Sequence, residues 1–246
     1  MLNPDGVING NYRCNLSGHD LNRRWKNPHR ELHPTIWHYK QMLSQLAQER
    51  TILMTIDLHG HSRAKNVFIY GCHSKFWKEN GGPAPTPMRE QIFPWILSNQ
   101  AEPFSFRHCK FKVQRCKESS GRVVCWRQMS VFNSYTLEAT FAGADQGKNK
   151  GKHLSTYDLE AVGKSMCDSI AAYLLAFKDA SVLEGLIAEI EALHNNTDAN
   201  TNQDDDAEPD SSSDDDVLPL PESPSSKSAK RRKGRLKIKR RKSRSA

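Results

Sequence analysis

The chain has 246 residues and a formal net charge of +8. It opens on no apolar signal segment and contains no apolar run long enough to cross a bilayer, so neither a secreted nor a membrane-spanning protein is expected, but a soluble one. Its six cysteines, Cys14, Cys72, Cys109, Cys116, Cys125 and Cys167, form no Cys-x-x-Cys pair, which argues against a disulfide framework and for a reducing compartment.

Asn3-Pro4-Asp5-Gly6 reads as a turn, followed by a short extended piece, Val7-Ile8. Residues 11–25 form a polar loop with Arg13, Asp20, Asn22, Arg23 and Arg24 among few apolar positions, either solvent-facing filler or a binding surface. His33-Pro34-Thr35 opens a helix whose apolar face is Ile36, Tyr39, Leu43 and Leu46; His29 and His33 read as part of its capping turn. Residues 51–58 are a buried strand, and Ile56-Asp57-Leu58-His59-Gly60-His61-Ser62 at its end is where an open α/β sheet would present a ligand crevice.

A second strand is expected at 66–70, a loop at 81–85, and a helix at about 88–99 that Pro94 would kink or break. Two strands, 111–115 and 122–126, would flank a polar turn at 117–121. Residues 134–141 alternate, with Tyr135, Leu137, Ala139 and Phe141 on one side and Thr136, Glu138 and Thr140 on the other. Ser155, with Asp158 three positions on, caps a long helix, and a shorter helix follows at 182–193. From Asn195 onward large apolar residues all but vanish, an acidic stretch at 204–216 precedes a basic one at 227–244, and the tail is expected to be disordered. The basic stretch, Lys227 to Arg244, could engage nucleic acid or an import receptor.

Three groups of residues could carry chemistry. In His59-Gly60-His61 a histidine could ligate a metal with Asp57 orienting its ring, although a structural histidine at a strand end is the commoner case. Glu138 sits mid-strand: in a central strand it must be paired, metal-associated or protonated, and on an edge strand it would point to solvent. Arg13, Asn22 and Arg23 could grip a carboxylate through guanidinium forks and an amide, or simply be solvated.

Asn3-Pro4-Asp5-Gly6, Asp20-Leu21-Asn22-Arg23-Arg24-Trp25, Asp57-Leu58-His59-Gly60-His61-Ser62 and Ser134-Tyr135-Thr136-Leu137-Glu138, in this order and spacing, resemble the zinc metallocarboxypeptidases, specifically the cytosolic carboxypeptidases of the tubulin-deglutamylase type. The resemblance runs from Met1 to about Phe177. It implies an α/β fold with a mixed β-sheet and flanking helices, one Zn2+ ion, and removal of C-terminal glutamates from acidic protein tails such as that of tubulin. It implies that His59 is a zinc ligand, Glu138 the general base, Arg13 the oxyanion stabiliser, and Asn22 with Arg23 the grip on the terminal carboxylate. Arg122 and Arg127, read as lying on strands just ahead of Glu138, are the candidates for an acidic side-chain pocket.

The family's zinc is held by a His-x-x-Glu pair and a later histidine. This chain has no His-x-x-Glu, and Asp57, His61 and His73 are not expected to assemble a replacement set. The chain therefore reads as N-terminally truncated, the missing ligands being expected upstream of Met1, and as inactive in the form given. The expected organisation is residues 1–178 as the C-terminal part of a catalytic domain, 179–194 as a terminal helix and 195–246 as the tail. A cytoplasmic location is expected, with nuclear import through the basic stretch as a further outcome. The rival reading is a non-catalytic protein that binds C-terminal carboxylates.

Overall fold

The computed structural model describes residues 1–77 and 86–198, all within one compact unit. The expected loop at 81–85 and the acidic and basic stretches of the tail lie outside the described residues. In chain order the elements are α1 (Pro4–Ile8), α2 (Pro34–Glu49), β1 (Met54–His61), β2 (Val67–Tyr70), α3 (Arg89–Gln100), α4 (Gly121–Gln128), β3 (Asn133–Thr140), α5 (Thr156–Ala176) and α6 (Ala180–Asp198). This is a mixed sheet with flanking helices. Among the described residues no helix is long and apolar enough to cross a membrane, and all six cysteines are free thiols.

The sheet has the order β1-β3-β2, with β1 parallel and β2 antiparallel to β3. β3 is thus the central strand, buried along nearly its whole length on both faces, and Glu138 is not on an edge. From one face Tyr135 and Leu137 join Val67, Ile69, Phe93, Leu97 and Tyr173 in the main core, built with α3, α5 and α6. A second cluster, Leu21, Trp25, Ile36, Leu43, Val124 and Val131, joins α2, α4 and the loop before α2. Between this second layer and the sheet lies the cavity discussed below.

Several expectations are met closely. Pro34 opens α2 at its first turn, and Ser155 and Asp158 form a reciprocal capping box at the start of α5. Others are corrected. Asn3-Pro4-Asp5-Gly6 opens the short helix α1, which continues through Val7-Ile8 where an extended piece was expected, because Pro4 supplies a first-turn φ and Asn9 closes the helix onto Asp5 and Gly6. β1 starts three residues later than expected at Met54 and runs through Gly60 to His61. Gly60 does not end the strand; it lies under the Phe141 ring, and a Cβ there would collide with that ring. Pro94 sits inside α3 without ending it. The terminal helix extends past His194 to Asp198.

The largest correction concerns 111–126. The expected strand at 111–115 is replaced by irregular chain and a 3₁₀ turn, Arg115–Lys117, and the expected strand at 122–126 is helix α4. Gly121 to Trp126 are all buried, and an apolar run buried on every side shows no periodicity by which helix and strand could be told apart. Gly121 is required because its backbone passes against Trp25, where a Cβ would sit 2.8 Å from the indole.

Candidate functional site

The parallel register sets His59 opposite Glu138 and Asp57 opposite Thr136. Alternate residues of a strand share a face, and Asp57 and His59 use this: His59 Nε2 lies 2.8 Å from Asp57 Oδ2. The carboxylate thus orients the ring, as the sequence suggested. Burial disfavours the charged imidazole of His59. The Asp57 hydrogen bond, with the charges of Asp57, Glu138 and Asp20, outweighs that and raises its pKa.

Glu138 is 3% exposed, and its Oε2 has no hydrogen-bond partner among the described residues. Burial pushes its carboxyl up to about 7, Asp57 adds to the rise, and His59, Arg122 and Lys117 oppose it. A carboxylate so placed is poised to exchange a proton near neutral pH. A divalent cation beside it would pull the value back down.

The loop at 11–25 is held in one conformation by side-chain hydrogen bonds to backbone. Asn3 Nδ2 donates to the carbonyls of Asn11, Tyr12 and Cys14 at 3.1, 3.3 and 3.2 Å. Asp20 caps the 3₁₀ turn Leu21–Arg23 by accepting from the Asn22 N–H at 2.8 Å, and its other oxygen pairs with Arg13 Nη1 at 3.4 Å. Asn22 Oδ1 accepts from the Gly121 N–H at 2.9 Å, satisfying an otherwise open donor at the α4 N-terminus. That bond turns the amide so that its NH2 is the end left to present. Arg23 Nη1 donates to the Asn22 carbonyl at 3.3 Å.

From the other side, Arg122 is buried, donates through Nη1 to the Gly71 carbonyl and lies over the Tyr70 ring at 5.6 Å. Arg127 does not join it. On a helix, residues five apart diverge, and Arg127 pairs with Glu118 at 3.1 Å, outside the cavity lining. The strand geometry that put both arginines in one pocket is replaced by a helix that delivers one. Lys117, not anticipated as a site residue, is 7% exposed and lines the cavity. It ends the 3₁₀ turn Arg115–Lys117, at the start of the segment read from the sequence as a polar turn.

Arg13, Asn22, Arg23, His59, Arg122 and Glu138 all border a single cavity of about 880 Å³. His61 is not part of it: its Nδ1 accepts from the N–H groups of Arg63 and Ala64 at 3.2 and 2.9 Å, and its ring packs edge-on against Phe68. Half of the His-Gly-His motif is therefore structural. Among the described residues no three His, Cys, Asp or Glu side chains are grouped so as to hold a metal ion. A catalytic zinc takes three protein ligands and one open position, so these residues alone do not fit a complete zinc site.

No family model matches the chain. It is 51% identical over 174 residues to cytosolic carboxypeptidase 1 of Danio rerio, a match covering 68% of this chain and 15% of that protein. The chain belongs to the cytosolic carboxypeptidases. It is also 46% identical over 194 residues to cytosolic carboxypeptidase 2 of Xenopus tropicalis, covering 78% of this chain and 19% of that one. These matches span under a fifth of the length of either relative. Among solved structures, a metallo-carboxypeptidase from Pseudomonas aeruginosa superposes with a TM-score of 0.58 at 25% identity, covering 70% of this chain and 44% of that one. One from Burkholderia cenocepacia, at a TM-score of 0.55 and 23% identity, covers 72% and 43% and shares the fold. The hydrolase lineage of this cytosolic carboxypeptidase chain rests on these likenesses.

Proposed function

We propose that this chain carries the substrate-binding side and the general base of a zinc metallocarboxypeptidase that removes glutamates from acidic protein tails, tubulin among them. The observation that carries the reading is convergence: Arg13, Asn22, Arg23, Arg122 and Glu138, far apart in sequence, border one cavity. Asn22 and Arg23 grip the terminal carboxylate of the substrate by charge-assisted hydrogen bonds. Arg13 faces the oxygen that becomes negative as the scissile carbonyl is attacked. Glu138 takes a proton from the attacking water, a role suited to a carboxyl held near 7. Arg122 and Lys117 supply positive charge for an acidic side chain. Arg127, expected beside Arg122, is assigned no such role.

His59 stands as one ligand of the family's zinc. With no three-ligand group among the described residues, the chain as given is proposed to bind substrate without turning it over. That same observation favours a second reading, a non-catalytic module that recognises C-terminal carboxylates. Calorimetric titration with a short peptide ending in glutamates tests the shared part. Arg23→Ala should weaken binding by about 2–3 kcal/mol, or roughly 30- to 150-fold, and unchanged affinity would remove the proposed grip. Zinc content and glutamate release separate the two readings: a full-length enzyme containing this segment should show both, and a binding module neither.

A further inference from the structure

The loop that carries Arg13, Asn22 and Arg23 is fastened to the start of α2 by a pair of imidazoles. His33, the residue that caps α2, is 5% exposed. Its Nδ1 accepts the His29 N–H at 2.9 Å, so the ring proton sits on Nε2, which donates to His19 Nδ1 at 2.9 Å. The two rings are tilted at 54° with centroids 4.9 Å apart. A second fastening runs alongside: Asn15 Nδ2 donates to the Leu32 carbonyl at 2.7 Å, while Asn15 Oδ1 accepts from the N–H groups of Ser17 and His19. His19 is followed directly by Asp20, whose carboxylate holds both Arg13 and the turn bearing Asn22.

Both imidazole bonds need an unprotonated Nδ1, on His33 to receive the His29 N–H and on His19 to receive the His33 proton. Protonation of either turns an acceptor into a donor that faces a donor. The charged groups acting on His33 are His19 from the loop, Arg24 from the end of the 3₁₀ turn, and His29 from its own turn, and no carboxylate is among them. Burial first, then these three groups, hold the His33 imidazole below its ordinary 6.5. A histidine with a depressed folded-state pKa contributes fully above its unfolded value and loses that contribution as pH falls below it.

We infer that His33 is a positioning residue, a latch that keeps the loop bearing Arg13, Asn22 and Arg23 closed over the cavity while its ring is neutral and frees that loop on protonation. What the loop grips rests on the proposed function; that it is latched does not. The latch adds a pH response that originates away from the cavity, in a ring that touches no substrate.

Hydrogen exchange on the whole chain, at pH 7.5 and 5.0 with rates corrected for the intrinsic pH dependence of exchange, tests it without substrate. Protection of amides in residues 11–25 should fall at least tenfold at pH 5.0 while β3 stays protected. His19→Asn places a carbonyl oxygen where Nδ1 stood and keeps the His33 ring with its Nδ1 facing the His29 N–H; His33→Gln places an amide donor near Nε2 and removes the ring. His33→Gln should leave the loop protected at both pH values, His19→Asn should keep the pH response, and His19→Phe should expose the loop at both. If His33→Gln does not fold, His19→Asn carries the test. Loss of the pH response in His19→Asn, the same response in His33→Gln as in the wild type, or none in the wild type, overturns the latch. In parallel, affinity for a glutamate-ended peptide should drop from pH 7.5 to 5.0 in the wild type by more than in His33→Gln. A peptide that fails to bind at pH 7.5 would count against the proposed function alone, since exchange still decides the latch.

Discussion

The strand pair β1/β3 and the layer formed by residues 11–25 and α4 border the same cavity and are held in opposite ways. On the strands, His59 and Glu138 face each other because backbone register puts them there, with the main core packed on the opposite face of the sheet. In the outer layer, Asn22, Arg23 and Arg122 are placed by single side-chain hydrogen bonds, above all Asn22 to Gly121 across 99 positions of sequence. Register is shared by a whole ladder and is hard to perturb at one position. A lone hydrogen bond is removed by one substitution, so the outer layer, the proposed recognition half, should be much the more fragile half.

The largest expected effect lies on the strand side. In a full-length enzyme containing this segment, Glu138→Gln should reduce turnover roughly 100- to 10,000-fold, the usual worth of a general base, with peptide affinity nearly kept. Near-normal turnover would remove Glu138 from that role. The same substitution has a stability consequence in this chain. A carboxyl whose folded-state pKa is raised from 4.5 to about 7 favours folding at low pH, and that advantage is lost as pH rises from 4.5 through 7. Above pH 7 the charged, buried Glu138 costs about 3 kcal/mol. In chelator-treated protein, urea unfolding should therefore show Glu138→Gln more stable than wild type at pH 8 and no more stable at pH 4; equal stability at both would mean that Glu138 is paired.

In the outer layer, Asn22→Ala should cost about 1–2 kcal/mol in urea unfolding, because it leaves the Gly121 N–H without its acceptor. It should also weaken peptide binding. A loss of stability without a loss of binding would make Asn22 a cap for α4 and nothing more. Lys117 and Arg127, either side of Arg122, sharpen the contrast further. Lys117→Met should lower affinity for a glutamate-ended peptide more than for an alanine-ended one, whereas Arg127→Met, which breaks a pair with Glu118 and a contact over the Trp126 ring away from the cavity, should change either by less than about 1 kcal/mol. Equal effects of the two substitutions would erase the distinction drawn between them.

The same division decided what could be read from the sequence. The alternation from Ser134 onward identified β3 and put Glu138 on the face opposite Tyr135 and Leu137, since period two is written locally. The Ser155–Asp158 capping box was legible for the same reason. Whether Glu138 lay on a central or an edge strand was not legible, because it depends on β1 and β2 pairing on either side. The α4 segment was misread as a strand, and with it Arg127 was misplaced: a helix buried all round leaves no polar face to reveal its period. Lys117 was overlooked because a lysine in a polar turn carries no local sign of burial. The four motifs pointed to the right family, while the bonds that fix Asn22 and Arg122 connect positions too distant for any local pattern to link.

The smallest effect tests the packing beneath both layers. Burial pushes the Cys109 thiol up to about 12 and the Cys125 thiol up to about 11. Both should resist iodoacetamide at pH 8 while exposed Cys116 and Cys167 react, and mass spectrometry of the alkylated protein reads this directly. Rapid labelling of Cys125 would mean that the α4 layer opens in solution.

The central claim is that the cavity recognises a C-terminal carboxylate on an acidic tail, and the most direct measurement compares two peptides that differ only there. Titrating the 246-residue chain with a glutamate-ended peptide as the free acid and as the C-terminal amide should give binding to the acid at least tenfold tighter than to the amide. The preference should disappear in Arg23→Ala. Equal affinity for acid and amide would contradict the account, because the cavity would then be sensing only the negative charge of the side chains.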